Sequence, residues 1–243
     1  MIENLENYLI GIAIGIRFRT NFVIEDQLGK IADTILYSKD AFFNPKVFPT
    51  ATTSAAAKDL INDNTQDYLH IDTSNVILEV NFGKNSTFNI NDLDNILDNF
   101  DKQITKGVLK EYSITQIRRV GFVRRYLFGN EILANSFVSK TIGDVLGGVN
   151  DINLGFSKKI PLVSSLVKKD VLDYDNAIFN IIKRADRNEI FMSLDYQGFF
   201  DPLLPSSTLI EFPTFLKRAN NFNLNQYANW INSYYPELEN AKA

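Results

Sequence analysis

The stretch YLIGIAIGIRFR, residues 8–19, decides how the first half of the chain folds. Isoleucine stands at every second position from Ile10 to Ile16, and only glycine or alanine stands between these isoleucines. Because successive side chains of a strand point to opposite faces, this spacing predicts a β-strand with one bulky face and one face of small side chains. The small face allows another group to pack closely against the strand.

Outward from this strand, the spacing of apolar residues predicts further elements in the first half. They are a helix over about 23–37, strands over 68–73 and 76–82, a helix beginning near 91 and a strand over 114–128. The stretch 38–67 carries Pro45 and Pro49 and predicts an irregular connection with a short helical segment over 55–61. The order βαββαβ is that of the ferredoxin-like arrangement, which we predict for residues 1–128.

The second half, residues 129–243, predicts a helix, a three-stranded antiparallel meander and closing helices. The helix is expected over 130–146, the strands over 151–160, 174–184 and 189–199, and the closing helices over 213–220 and 223–235. No Gly/Ser-rich linker or block of charge separates the halves. We therefore predict an α+β protein whose two halves pack as one continuous unit.

The composition is that of a globular chain without a strong electrostatic bias. Of its 243 residues 45% are hydrophobic and 22% are charged, and the net charge is −4. The absence of cysteine excludes disulfides, a thiol nucleophile and thiolate metal sites. The apolar run over residues 8–16 is too short to span a bilayer, so we expect a cytoplasmic protein that does not associate with membranes.

Two motifs that suggest catalysis do not carry it. Gly83-Lys84 lacks the glycine that a P-loop needs five positions earlier, where Leu78 stands. His70, the one histidine, shares a strand face with Asp72, and such a pair could orient a general base. No serine stands in a nucleophile-elbow pattern, and one histidine cannot supply a multi-histidine zinc site. A structural role for His70 is the preferred interpretation.

Carboxylates are the remaining metal ligands, and none forms a recognisable site. Asp92, Asp94 and Asp98 are the densest group, but their helical spacing is typical of a solvated helix face. Asp195 is a strand-borne acid without a partner nearby in the sequence. We therefore predict no catalytic residue, no metal site and no cofactor.

The segment IRRVGFVRRYLF, residues 117–128, interleaves two arginine pairs with aromatic residues. Alternation places Arg118, Arg124 and Tyr126 on one strand face and Arg119 and Arg125 on the other. Each face of this strand therefore carries two arginines.

In a βαββαβ sheet the first and last strands are antiparallel neighbours, which brings Arg17 and Arg19 close to Arg118 and Arg119. Four guanidiniums at one end of a sheet predict a site for phosphate or carboxylate groups. Together with the second half of the segment they would bind single-stranded nucleic acid. The predicted anion or nucleic-acid site comprises Arg17, Arg19, Arg118, Arg119, Arg124, Arg125 and Tyr126. The competing interpretation pairs these arginines with acids on neighbouring strands, such as Glu79 and Asp72.

The last helix carries a group of aromatic residues that could bind a protein partner. They are Tyr227, Trp230 and Tyr234. Tyrosine and tryptophan are enriched at the centres of protein interfaces, but the same residues could pack the helix on its own sheet.

Three short segments together resemble a family of proteins. They are IRF at 16–18, RVGFVRRY at 119–126 and MSLDY at 192–196. In this order they resemble a sporadically distributed bacterial family of uncharacterised proteins, whose central motif is arginine, a hydrophobic residue, glycine and then an arginine-tyrosine pair. This chain departs from the motif by placing Phe122, Val123 and a second arginine before the tyrosine. The resemblance implies a horizontally moved gene of the defence or toxin–antitoxin type and transfers no catalytic residue.

These observations predict a non-enzymatic interaction module. The resemblance implies an accessory subunit of a multi-component bacterial system, with a protein or a second copy of the chain as partner. The alternative is a nucleic-acid or nucleotide-binding protein that uses the arginines. An enzyme with a carboxylate site at Asp195 or at His70 and Asp72 ranks third, since no catalytic spacing supports it.

Overall fold

The computed structural model describes residues 5–54, 56–83, 85–114, 116–129, 151–161, 174–184, 186, 189–204 and 212–234. Within these ranges nine strands form one sheet, in the order β2-β3-β4-β5-β1-β6-β9-β8-β7, and every neighbouring pair is antiparallel. The strands are β1 (Leu9–Phe18), β2 (Thr50–Thr53), β3 (Ala57–Asn62), β4 (Asp67–Asp72), β5 (Asn75–Asn81), β6 (Ile117–Gly129), β7 (Ile152–Pro161), β8 (Tyr174–Lys183) and β9 (Glu189–Leu204).

The described helices lie at three places in the chain, after β1, after β5 and after β9. They are α1 (Phe22–Tyr37), α2 (Leu93–Phe100) with a π-helical continuation (Asp101–Leu109), and α3 (Phe212–Phe222), which a π-helical segment (Asn223–Tyr227) joins to α4 (Ala228–Tyr234). Short 3₁₀ turns at Leu5–Tyr8 and Ile90–Asp92 precede β1 and α2. The helix predicted over 130–146 lies outside the described residues.

The predicted fold class, a ferredoxin-like half followed by a helix, a meander and closing helices, is wrong. The strands of both halves belong to a single sheet, because β6 pairs with β1 along one edge and with β9 along the other. Alternation in the sequence indicates which residues share a face of β6, but it does not say which strand takes up the backbone hydrogen bonds of each edge. One expected pairing is present, since β1 runs antiparallel to β6.

The region predicted as irregular, residues 38–67, contributes two strands to the sheet. The helical segment expected over 55–61 is instead β3, which pairs with β2 on one side and β4 on the other. Leu60 of β3 is fully buried and α1 packs over this part of the sheet. Packing under a helix thus decides for strand in a short stretch whose local pattern is ambiguous.

The described helices pack against one face of the sheet, which we call the helix-covered face. Its central residues, including Ile12, Ile14, Phe122 and Tyr126, are completely buried and belong to a continuous hydrophobic core. The opposite face, which carries no helix in the described ranges, is called the open face. It presents the small residues of β1 and the alternate residues of β6 and β9.

A buried ion pair fastens helix α3 to the helix-covered face. Asp175 of β8 is completely buried, and Arg218 donates to it from Nε at 2.7 Å and from Nη2 at 3.1 Å. The Tyr196 hydroxyl donates to the same carboxylate at 2.6 Å. Further along, the Tyr126 hydroxyl donates to Asn223 Oδ1 at 2.8 Å. These contacts hold α3 and the π-helical segment after it on the helix-covered face.

None of the helices that the structure describes is long and apolar enough to cross a bilayer.

Candidate anion-binding site

Two arginines face each other on the open face where β1 and β6 run side by side. Arg17 and Arg119 are register partners in this antiparallel pair. Arg17 Nε donates to Asn75 Oδ1 at 2.9 Å, and the Arg119 guanidinium lies 5.8 Å from the centre of the Phe199 ring. Among the described residues neither arginine forms an ion pair. Within the described structure their positive charges are therefore not neutralised by an ion pair.

This arrangement has an electrostatic cost. Burial lowers the pKa of Arg119, and the positive charge of Arg17 lowers it further, while the Asp195 carboxyl acts in the opposite direction. Like charges placed directly opposite each other destabilise an antiparallel strand pair. A bound anion between the two guanidiniums would relieve this repulsion.

The next position along the same two strands is a pair of glycines, Gly15 opposite Gly121. A Cβ atom added to Gly15 would lie 3.7 Å from Ile77, and one added to Gly121 would lie 3.8 Å from Asp195 Oδ1, which are ordinary contact distances. A Cβ on Gly11, by contrast, would lie 2.9 Å from the Val80 carbonyl oxygen. Packing therefore requires glycine at position 11 but not at positions 15 and 121, where glycine only weakens the strands.

The two glycines form the floor of a concave site that we call the trough. Its walls are side chains of the flanking strands, Ile77 and Glu79 of β5 and Asp195 and Gln197 of β9. The site has a volume of about 210 Å³. From β5 to β9 the sheet advances by three strand spacings, roughly 14 Å.

An ion pair closes the end of the trough away from Arg17. Arg125 of β6 reaches across β1 to Glu79 of β5, with Nη1 2.9 Å from Oε2 and Nη2 2.9 Å from Oε1. The Tyr68 hydroxyl donates to Glu79 at 3.1 Å, and burial together with the Glu79 charge raises the pKa of Tyr68 to about 12. The charge of Arg125 is thus neutralised within the protein, unlike the charges of Arg17 and Arg119.

Asp195 lines the β9 side of the trough. Gln197 Nε2 donates to its Oδ2, while Oδ1 is the oxygen that lies over Gly121. Burial raises the pKa of Asp195, although the Gln197 hydrogen bond and the charge of Arg119 act in the opposite direction. This carboxyl can accept a hydrogen bond from a ligand in the trough.

Aromatic residues beside the arginines are already stacked. Tyr174 and Phe199 lie parallel on neighbouring strands, with ring centres 4.9 Å apart and an angle of 10° between their planes. Lys159 Nζ lies 3.9 Å from the Tyr174 ring centre, and Arg119 lies against Phe199. A cation or the other ring therefore stands against these rings, which leaves them poorly placed to stack on a nucleic-acid base.

His70 also lies on the open face, between two carboxylates. Its Nδ1 is 2.6 Å from Asp59 Oδ1 and its Nε2 is 3.1 Å from Asp72 Oδ2. Burial alone would lower the pKa of His70, but the hydrogen bonds and charges of both acids outweigh it and raise the pKa. With both ring nitrogens engaged, His70 stabilises strands β3 and β4 in the described structure.

The remaining arginines predicted for the site are separated from the trough. Arg19 Nη1 donates to Gln116 Oε1 at 3.2 Å just beyond the end of β1, and Arg118 is exposed at an irregularity in the pairing of β6 and does not line the trough. Arg124 and Tyr126 lie on the helix-covered face and are 3% and 0% exposed, so they cannot meet a macromolecule that approaches from solvent. Arg17, Arg119 and Arg125 are the predicted residues that line the trough.

The aromatic residues predicted as a partner interface pack mainly within the protein. Tyr227 is 1% exposed and lies 5.9 Å from the Tyr126 ring centre and 5.5 Å from that of Phe179. Trp230 is partly buried against the Phe156 and Phe179 rings. Tyr234 ends helix α4, and its side chain lies outside the described residues.

Sequence reasoning missed the floor and two polar residues of the trough. The glycines at 15 and 121 are recognisable in the sequence as small residues on the correct strands, but only the register of β1 and β6 shows that they are paired. Asn75 and Gln197 gave no signal, because a single amide on a strand is unremarkable until its neighbours are known. No group of metal-ligating residues occurs in the described part of the chain.

No family model, curated protein or solved structure gives a significant match to this chain.

Proposed function

We propose that this protein is an interaction module that holds an anionic group of its ligand between Arg17 and Arg119 on the open face of the sheet. The observation that carries the proposal is the register pairing of two arginines that form no ion pair with a described residue, beside a floor of glycines that packing does not require. Arginine is suited to this role because its planar guanidinium binds carboxylate and phosphate groups through paired hydrogen bonds. The accessory-subunit role implied by the family resemblance stays a prediction.

Binding of nucleic acid by the whole predicted arginine segment is the weaker alternative. Arg124 and Tyr126 are buried, and Arg125 is neutralised by Glu79. Affinity for a nucleic acid depends on neutralising several phosphates in succession. Among the described residues that line the trough, positive charge without an ion pair is found at one end.

Thermal unfolding in the presence of inorganic phosphate tests the proposal. If phosphate binds in the millimolar range, about 10 mM stabilises the folded protein by roughly 1.4 kcal/mol. For a chain of this length that corresponds to about 3 °C in Tm. Sodium chloride of equal ionic strength is the reference, since it reproduces screening without the bidentate contacts.

Three variants make the test specific to the pair. Arg17→Gln and Arg119→Gln should lose the response to phosphate, whereas Arg118→Gln should keep it because Arg118 does not line the trough. Without phosphate, Arg119→Gln should be as stable as the wild type or slightly more stable, since the repulsion from Arg17 is removed. An equal response to phosphate in all three variants would contradict the proposal.

A further inference from the structure

The distribution of charge around the trough points to the kind of anion that it receives. Positive charge that no acid neutralises by an ion pair is confined to the end formed by Arg17 and Arg119. Beyond the glycine floor the ligand meets the neutral pair of Arg125 with Glu79 and the carboxyl group of Asp195. A polyanion laid along the trough would have one group neutralised and the next placed beside an acid. The site therefore suits a ligand with a single anionic end and an uncharged body.

The residues of the floor and walls indicate which chemical groups of the ligand lie next to its anionic group. Gly15 and Gly121 leave space above the sheet, and Ile77 supplies an apolar side wall. Asp195 Oδ1 stands over the floor, where it can accept a hydrogen bond from an N–H donor of the ligand. A carboxylate, a small apolar group and an N–H donor next to each other are the features of the last residue of a polypeptide.

We propose that the trough binds the C-terminal residue of a partner protein, with its terminal carboxylate between Arg17 and Arg119 and its small apolar side chain over Gly15 and Gly121. This proposal rests on the anion-binding function proposed above. The last backbone N–H donates to Asp195 Oδ1, and the preceding residues run out over the open face.

The shape of the site favours a chain terminus over a small free acid. The concavity of about 210 Å³ is partly open to solvent. A free acid of that size would leave much of its surface in water, whereas tight small-molecule sites enclose most of their ligand. A polypeptide gains further contacts on the open face outside the trough.

Fluorescence polarisation tests the proposal with a pool of fluorescein-labelled octapeptides that end in alanine or valine. One pool has a free terminal carboxylate and a matched pool has a terminal amide. The free-acid pool should bind at least about tenfold more tightly, because a charged group contributes strong paired hydrogen bonds with arginine. Arg17→Gln and Arg119→Gln should reduce its affinity to that of the amide pool, and Arg118→Gln should leave it unchanged.

A second variant blocks the floor without removing charge. A Cβ atom at position 121 meets its neighbours at ordinary contact distances, so Gly121→Ala should fold with an undiminished Tm. It should nevertheless reduce affinity for the free-acid pool by about tenfold or more, because the side chain occupies the space of the ligand. Full peptide affinity in Gly121→Ala would overturn the assignment of the floor.

Two further probes separate the proposal from its alternatives. Equal binding of the acid and amide pools would overturn the proposal. It would also be overturned if N-acetylvaline competed as strongly as unlabelled peptide, because the site would then be one for a small free acid. If fluorescein-labelled octathymidylate bound more tightly than the free-acid peptides, and Lys159→Gln weakened that binding, the open face would be assigned to nucleic acid. If phosphate still stabilises the wild type through Arg17 and Arg119 in these cases, the anion-binding function stands and the inference about the chain terminus fails.

Discussion

Replacing Asp175 by asparagine tests how the helices are fastened to the sheet. The substitution keeps the side-chain volume but removes the charge that accepts hydrogen bonds from Arg218 and from the Tyr196 hydroxyl. Removing one partner of a buried ion pair costs about 3–5 kcal/mol. The Arg218 side chain is 30% exposed and can be partly solvated in the variant, so the lower end, about 3 kcal/mol, is expected.

This free energy converts into a measurable change in Tm. An unfolding entropy of about 2.1 cal/mol/K per residue amounts to roughly 0.5 kcal/mol/K for a chain of this length, so Asp175→Asn should lower Tm by about 6 °C. Chemical denaturation followed by circular dichroism gives the free energy directly. Asp98→Asn, on the exposed face of α2, is the matched control and should change stability by less than about 0.5 kcal/mol.

A double-mutant cycle separates the ion pair from other effects of the substitution. Combining Asp175→Asn with Arg218→Met should cost less than the sum of the single changes, by about 1–2 kcal/mol, because each single change already breaks the pair. Additive costs, or a loss below about 1 kcal/mol for Asp175→Asn alone, would refute the reasoning.

Three further outcomes follow from individual contacts and are read by the same denaturation assay. Burial lowers the pKa of His70, but Asp59 and Asp72 outweigh it and raise the pKa. The protonated histidine therefore stabilises the fold at low pH. This stabilisation is lost above about pH 6.5, as the pH rises through the pKa of His70 in the folded protein. The free energy of unfolding of the wild type should therefore fall over this range relative to that of His70→Gln. Tyr126→Phe should cost about 1–3 kcal/mol because it leaves the buried Asn223 Oδ1 without its donor, and an unchanged stability would contradict that hydrogen bond. Gly29→Ala, in the exposed interior of α1 where a Cβ meets nothing within 4 Å, should raise stability by about 0.5–1 kcal/mol.

Several strands and helices could be predicted because their residues carry a periodic pattern. The alternation in residues 8–19 corresponds to β1, and the apolar spacing after it corresponds to α1. The strands of the second half lie close to their predicted bounds, with β9 running further, to Leu204. The β2–β3 hairpin was missed because short strands of mixed polarity have no distinctive periodicity and depend on the sheet for their structure.

Part of the trough could also be predicted, through the neighbouring positions of Arg17 and Arg119. Its β9 wall could not, because Asp195 is 76 positions from Arg119 and reaches the site only through the pairing of β6 with β9. Such pairings between distant segments depend on which edges of the strands remain free when the chain collapses. Local sequence does not encode that choice.

The arginine pairs of β6 separate what the sequence determined from what the tertiary structure decided. Alternation along residues 117–128 determined that Arg124 and Arg125 point to opposite faces, whatever the fold. The helices decided which face became the interior, since α3 covers Arg124 and leaves Arg125 beside the trough. The alternation of side chains follows from the backbone of a strand and can be recognised in the sequence. Which side chains are buried, and which of them meet, depends on contacts between segments that are far apart in the chain.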